Sequence, residues 1–162
     1  MAHVTIEYMI MVPVLIIQIA IFPLAAATLM GAWSGSRMSL QLQEISGDLG
    51  SSMQQLYYTM NHESISSGTI TSYLSVPTTI QDGNNGYNYV ITLTNATNPG
   101  SSVMVMNLTL SLMGAKGTAS SIVTLGNNAA WINNSTFNSN QITKIIATKA
   151  SGIITLSFQG GA

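Results

Sequence analysis

The sequence predicts an α+β chain, in which a long N-terminal hydrophobic α-helix precedes an antiparallel β-sandwich. Three observations predict it. From Tyr8 to Trp33 the chain runs 26 residues without a charged side chain. Apolar residues then recur at helical spacing as far as Met60, and beyond residue 68 the hydrophobic period switches to two, with turn residues between short runs.

The apolar run comes first. A hydrocarbon core of about 30 Å needs about 20 apolar residues in a helix, and this run exceeds that. Three other readings meet the same composition. A cleaved secretory peptide needs a basic flank and a short apolar core; no Lys or Arg precedes Arg37, and the run is too long. A helix buried in a soluble core and apolar on every side needs a larger protein around it. A single-pass membrane anchor fits length and hydrophobicity alike and stays open. Pro13 and Pro23 lie inside the run, where each removes one backbone hydrogen bond, so kinks are expected there.

The helix need not stop at Ser36. Met38, Leu42, Ile45, Leu49, Met53, Leu56 and Met60 are three or four residues apart and draw one apolar stripe, with Gln41, Gln43, Glu44, Asp48, Ser52 and Gln54 between them. Joined to the first segment, this makes one helix of about 55 residues, roughly 80 Å long at 1.5 Å per residue. Gly31, Gly35, Gly47 and Gly50 weaken it and mark places for bending. Asn61-His62-Glu63 and Ser66-Ser67-Gly68 end it, which divides the chain into a helical domain, 1–62, and a β-domain, 63–162.

In the second domain strands are expected over 69–76, 87–94, 103–112, 119–125, 141–148 and 153–158. Turn signals separate them at Asp82-Gly83-Asn84-Asn85-Gly86, Asn98-Pro99-Gly100, Gly114 to Gly117, Gly126-Asn127-Asn128 and Ser151-Gly152. The clearest strand carries Met104, Met106, Leu108, Leu110 and Leu112 on one face and Val103, Val105, Asn107, Thr109 and Ser111 on the other. Short strands at such regular spacing, with no helical pattern among them, point to a sandwich.

Composition excludes several function classes. The chain has 162 residues and no cysteine, so disulfides, thiolate chemistry and most structural zinc sites are absent. Charged residues are 6% of the whole, against about a quarter to a third of an ordinary surface. Without a basic patch, nucleic acid is not an expected partner. His3 and His62 stand far apart with no metal-ligand spacing, and the carboxylates form no acid–base pair. No nucleophile elbow, Walker loop or dinucleotide glycine pattern occurs. The chain reads as a protein without enzymatic activity and without a cofactor.

Solubility must then come from Ser, Thr, Asn and Gln, or from sugars. N-glycosylation sequons start at Asn95, Asn107, Asn133 and Asn134, the last two overlapping so that one is used.

The order of these parts carries a resemblance. Val4-Thr5-Ile6-Glu7-Tyr8 leads straight into a long apolar helix that continues as an amphipathic one and ends in a β-domain. This resembles the archaeal type IV pilin superfamily, which includes adhesion pilins and archaellins. The resemblance implies an immunoglobulin-like sandwich and a prepilin (class III signal) peptidase that cuts ahead of the helix; a mature chain starting at His3 would place Glu7 fifth. It also implies a pilus assembly ATPase and platform. Glu7 would pair with the α-amino group of a neighbouring subunit, or else simply favour the helix N-terminus, worth about 0.3–1 kcal/mol.

On this reading the chain inserts in the cytoplasmic membrane and then polymerises into an extracellular, N-glycosylated, cell-surface adhesion filament. Its assembly residues are Glu7, Pro13, Pro23, Met38, Leu42, Ile45, Leu49 and Met53, with the stripe from Met38 onward packed against other subunits. Two alternatives stay open. One is an archaellin; the other is a monomeric single-pass surface protein, with 31–36 as a juxtamembrane hinge.

Overall fold

A computed structural model describes residues 2–97, 101–131 and 136–160, with side chains from Met9 onward except that of Thr143. One helix, α1 (Ala2–Met60), precedes nine strands. It runs without interruption through Pro13, Pro23 and the four glycines. The fold is the α+β arrangement that the sequence predicts, a long N-terminal helix followed by a sandwich of β-sheets.

The chain forms two compact units, Met1–Ser36 and Arg37–Ala162. The division falls 26 residues earlier than the 62/63 boundary expected from sequence, and well before α1 ends at Met60. Packing explains the difference. Met38, Leu42, Ile45, Leu49, Met53, Leu56 and Met60 are all buried, in one core with the strands. The C-terminal half of α1 therefore belongs to the β-domain.

The strands are β1 (Gly68–Tyr73), β2 (Thr79–Asp82), β3 (Asn85–Asn95), β4 (Val103–Leu112), β5 (Thr118–Gly126), β6 (Ala129–Trp131), β7 (Thr136–Asn138), β8 (Ile142–Ala150) and β9 (Ile153–Gly160). One sheet runs β2-β3-β4-β5, with β7 also paired to β3; the other runs β1-β8-β9-β6. All pairs are antiparallel except β6 with β9.

Register decides which face of each sheet is apolar. Ile91 lies opposite Leu110, which lies opposite Ala119. Since side chains alternate along a strand, Tyr89, Leu93, Met106, Leu108, Leu112, Val123 and Leu125 share that face, and all are buried. In the other sheet Ile145, Ala147, Ile154, Leu156 and Phe158 complete the core. Burying such side chains stabilises the fold by about 1.5–3 kcal/mol each.

Small residues let α1 come close to β5. Ser46 is fully buried, its hydroxyl donating to Ser121 Oγ at 2.6 Å, while Ser121 Oγ donates to the Ser46 carbonyl at 3.0 Å. One turn on, a Cβ at Gly50 would lie 3.2 Å from Val123 Cγ2. At the helix end Tyr57 donates to Asn128 Oδ1 at 2.6 Å, and Asn128 Nδ2 donates to Asn61 Oδ1 and to the Gly152 carbonyl. A side chain at Gly126 would collide with the Tyr57 hydroxyl.

Turns follow local chemistry. Ser151 and Gly152 both have positive φ, 51° and 82°, as a two-residue type I′ hairpin between β8 and β9 requires. Gly83 takes φ 59° at the first loop position between β2 and β3. On the far side of the core Tyr89 donates to the Pro77 carbonyl at 2.6 Å. Burial pushes its phenol up from the ordinary value of 10.0 to about 12. Ser139 donates to the Thr78 carbonyl at 2.6 Å and holds the same connection.

Three strands, β2, β6 and β7, have no counterpart among those expected from sequence. Each has three or four residues, too few to show a period; β6 directly follows the turn signal at Gly126-Asn127-Asn128, and β7 lies in the polar stretch from Asn133 to Asn140. The expected turn at Asn98-Pro99-Gly100 lies outside the described residues.

Candidate functional site

The N-terminal part of α1 is a chemically distinctive surface. Met9, Ile10, Met11, Leu15, Ile16, Ile17, Ile19, Phe22, Leu24, Leu29, Met30 and Trp33 are each more than half exposed. These positions lie on every side of a helix, so no stripe is turned toward a core. Exposed apolar patches beyond a few hundred Å² mark contacts with a membrane or a protein. The helix is long and apolar enough to cross a membrane, and none of its most apolar stretch is buried within the chain. Gln18 is the only amide in this run.

Pro13 and Pro23 lie in this exposed segment, within unbroken helix. The helix continues despite the two missing backbone donors. Glu7 lies in the first turns of α1, and its side chain is outside the described residues.

The other five assembly candidates lie in the core of the chain itself. The sequence pattern assigns Met38, Leu42, Ile45, Leu49 and Met53 to contacts with other subunits, yet each is at most 7% exposed and packed in the chain's own core. An apolar stripe needs one partner surface, and the nearer one is the chain's own sheet. What this part of α1 leaves to solvent is its polar face with two apolar exceptions, Leu40 and Tyr58, at 63% and 64% exposed.

The sequons divide. Asn95, at the end of β3, is exposed, and its Oδ1 accepts the Thr97 N–H at 2.9 Å. Asn107 is half-buried in the middle of β4, on the face opposite Met106 and Leu108. Asn133 and Asn134 lie outside the described residues. His62 Nδ1 is 2.7 Å from Ser64 Oγ, an interaction at the helix end. Among the described residues no group of three His, Cys, Asp or Glu side chains is placed to hold a metal ion.

One feature was not legible in the sequence. Trp131, Phe137 and Phe158 form a mutual edge-to-face triad with centroids 5.0 to 6.4 Å apart, joining β6, β7 and β9. These residues are scattered over a loop and a late strand, so no spacing announces them. Beside Trp131 a cleft of about 400 Å³ opens, lined also by Asn95, Thr97, Ser101, Met104 and Asn127.

Comparison with models of known protein families finds no match, and neither does comparison with curated proteins or with solved structures.

Proposed function

We propose that this chain is the structural subunit of an extracellular archaeal type IV pilus, polymerising through its apolar N-terminal helix for surface adhesion and cell–cell contact. The observation that carries the reading is the exposed helix from Met9 to Trp33, apolar on every side, on a chain whose β-domain fills its own core without it. Such a helix suits two environments. It rests in lipid as a monomer, then exchanges lipid for copies of itself. A head-to-tail contact that does not close on itself repeats without end and makes a filament.

Assembly on this reading falls to Met9–Trp33 and to Glu7, not to the stripe from Met38 onward. The β-domains coat the outside, with glycans at Asn95, Asn107 and one of Asn133 and Asn134 in place of surface charge. Processing by a class III signal peptidase and export by an assembly ATPase and platform follow from the resemblance. The chain has no catalytic role and needs no cofactor.

A second reading has its own support. The buried stripe makes Arg37–Ala162 self-sufficient, which suits a monomeric single-pass surface protein as well as a pilin. Electron microscopy of material sheared from cells, with N-terminal mass spectrometry, separates the two. Thin filaments of this chain, starting at or near His3, support the pilin. Protein retained in the membrane fraction without filaments supports the anchor. Glu7→Gln should spare insertion and lower filament yield; an unchanged yield removes the pairing role. An archaellin would need a rotary-motor gene cluster beside its own gene.

A further inference from the structure

We infer that the cleft beside Trp131 is a binding site for a neutral saccharide. Among the described residues its lining carries no charged side chain, which disfavours phosphates and carboxylates. Its volume, about 400 Å³, lies near the lower end for small-molecule sites and suits one or two sugar rings. Trp131 supplies an aromatic wall, held in place by Phe137 and Phe158, and aromatic rings pair well with ligands that present one apolar face and one polar edge.

The polar groups narrow the chemistry further. The Thr97 hydroxyl is engaged with the Val105 backbone and the Ser101 hydroxyl with the Val103 backbone, so both act as framework. The Asn127 side chain is exposed and has no hydrogen-bond partner among the described residues. An amide offers donors and an acceptor together, matching the paired hydroxyls of a sugar.

The cleft rim also holds Asn95, the first residue of a sequon. The same sugar chemistry thus has two sources, the chain's own Asn95-linked glycan or a glycan of another surface. The inference does not depend on filament formation, because every lining residue belongs to the β-domain.

The test uses the full chain carrying Trp33→Phe, which leaves Trp131 as the sole tryptophan, in a detergent without a sugar headgroup. Emission is followed while glucose, galactose, mannose or N-acetylglucosamine is added, with glycerol as control. The chain is produced once in a host without N-glycosylation and once in a host with it. A saturable shift in the unglycosylated chain, weakened about tenfold by Asn127→Ala with unchanged thermal unfolding, supports the site and an external source. No response to free sugar, but an emission difference in the glycosylated chain that Asn95→Gln abolishes, supports the site with the tethered glycan as occupant. No response to free sugar and no emission difference that depends on Asn95 overturn the inference.

Discussion

The two halves of α1 are one helix by backbone and two different objects by surface. From Met9 to Trp33 apolar side chains face every direction and none is buried; from Met38 to Met60 a single stripe is buried and the opposite face is polar. A hydrophobic stripe is satisfied by one sheet, whereas an all-round apolar surface cannot be satisfied by any single domain. The first half is long and apolar enough to cross a membrane and has no buried face within its own chain, whereas the second half has found its partner there.

Truncation breaks this comparison most sharply. A chain beginning at Arg37 should be soluble and fold cooperatively, while one beginning at His62 loses seven buried stripe residues and should not fold; circular dichroism with thermal melting reads both outcomes. If the shorter chain folds as well as the longer, the second half of α1 is not part of the core.

Single substitutions sharpen it next. Leu49, fully buried, should cost about 2–5 kcal/mol on replacement by alanine, whereas Ile17→Ala should leave β-domain unfolding unchanged. Denaturant titration of both variants measures the contrast.

A third effect is confined to the β-domain. The buried Tyr89 phenol is raised from 10.0 to about 12, so its contribution is complete below pH 10 and is lost as pH rises toward 12. Because a tenfold change in an equilibrium is worth about 1.4 kcal/mol, and solvent near the hydroxyl screens part of the effect, the loss should reach roughly 1–2 kcal/mol. Unfolding free energy measured from pH 9 to 12 should fall in the native chain and fall less in Tyr89→Phe.

The smallest effect lies where helix meets strand. Ser46→Ala removes the bond to Ser121 Oγ and should cost about 1 kcal/mol. The same replacement at Ser36, which is exposed, should cost little, and paired melting curves compare them.

Much of the fold was legible because its signals are local. The uncharged run, the stripe from Met38 to Met60, and the alternation in β4 each declare an element by period alone. The strand β4 matches its expected bounds, Val103–Leu112, because ten residues of strict alternation leave little room for another register. β2, β6 and β7 are held by their neighbours in the sheets, and that support is invisible in three or four residues read alone.

The candidate sites divide in the same way. Asn95 and Asn107 are sequons by three adjacent residues, and the exposed helix is apolar by composition. The cleft beside Trp131 joins strand ends and turns between Asn95 and Trp131, and its aromatic support comes from Phe158. Such a site exists only after the two sheets have closed.

By itself the sequence determined that this protein has a long apolar helix, an amphipathic continuation, a β-rich remainder and no cysteine or charge cluster for catalysis. Each of these follows from residue type and spacing within one element. Only the tertiary structure decided what the amphipathic stripe faces. A stripe specifies that a partner exists but not which one; in the fold the partner is the chain's own sheet, where Ser46 and Gly50 sit against Ser121 and Val123 of β5.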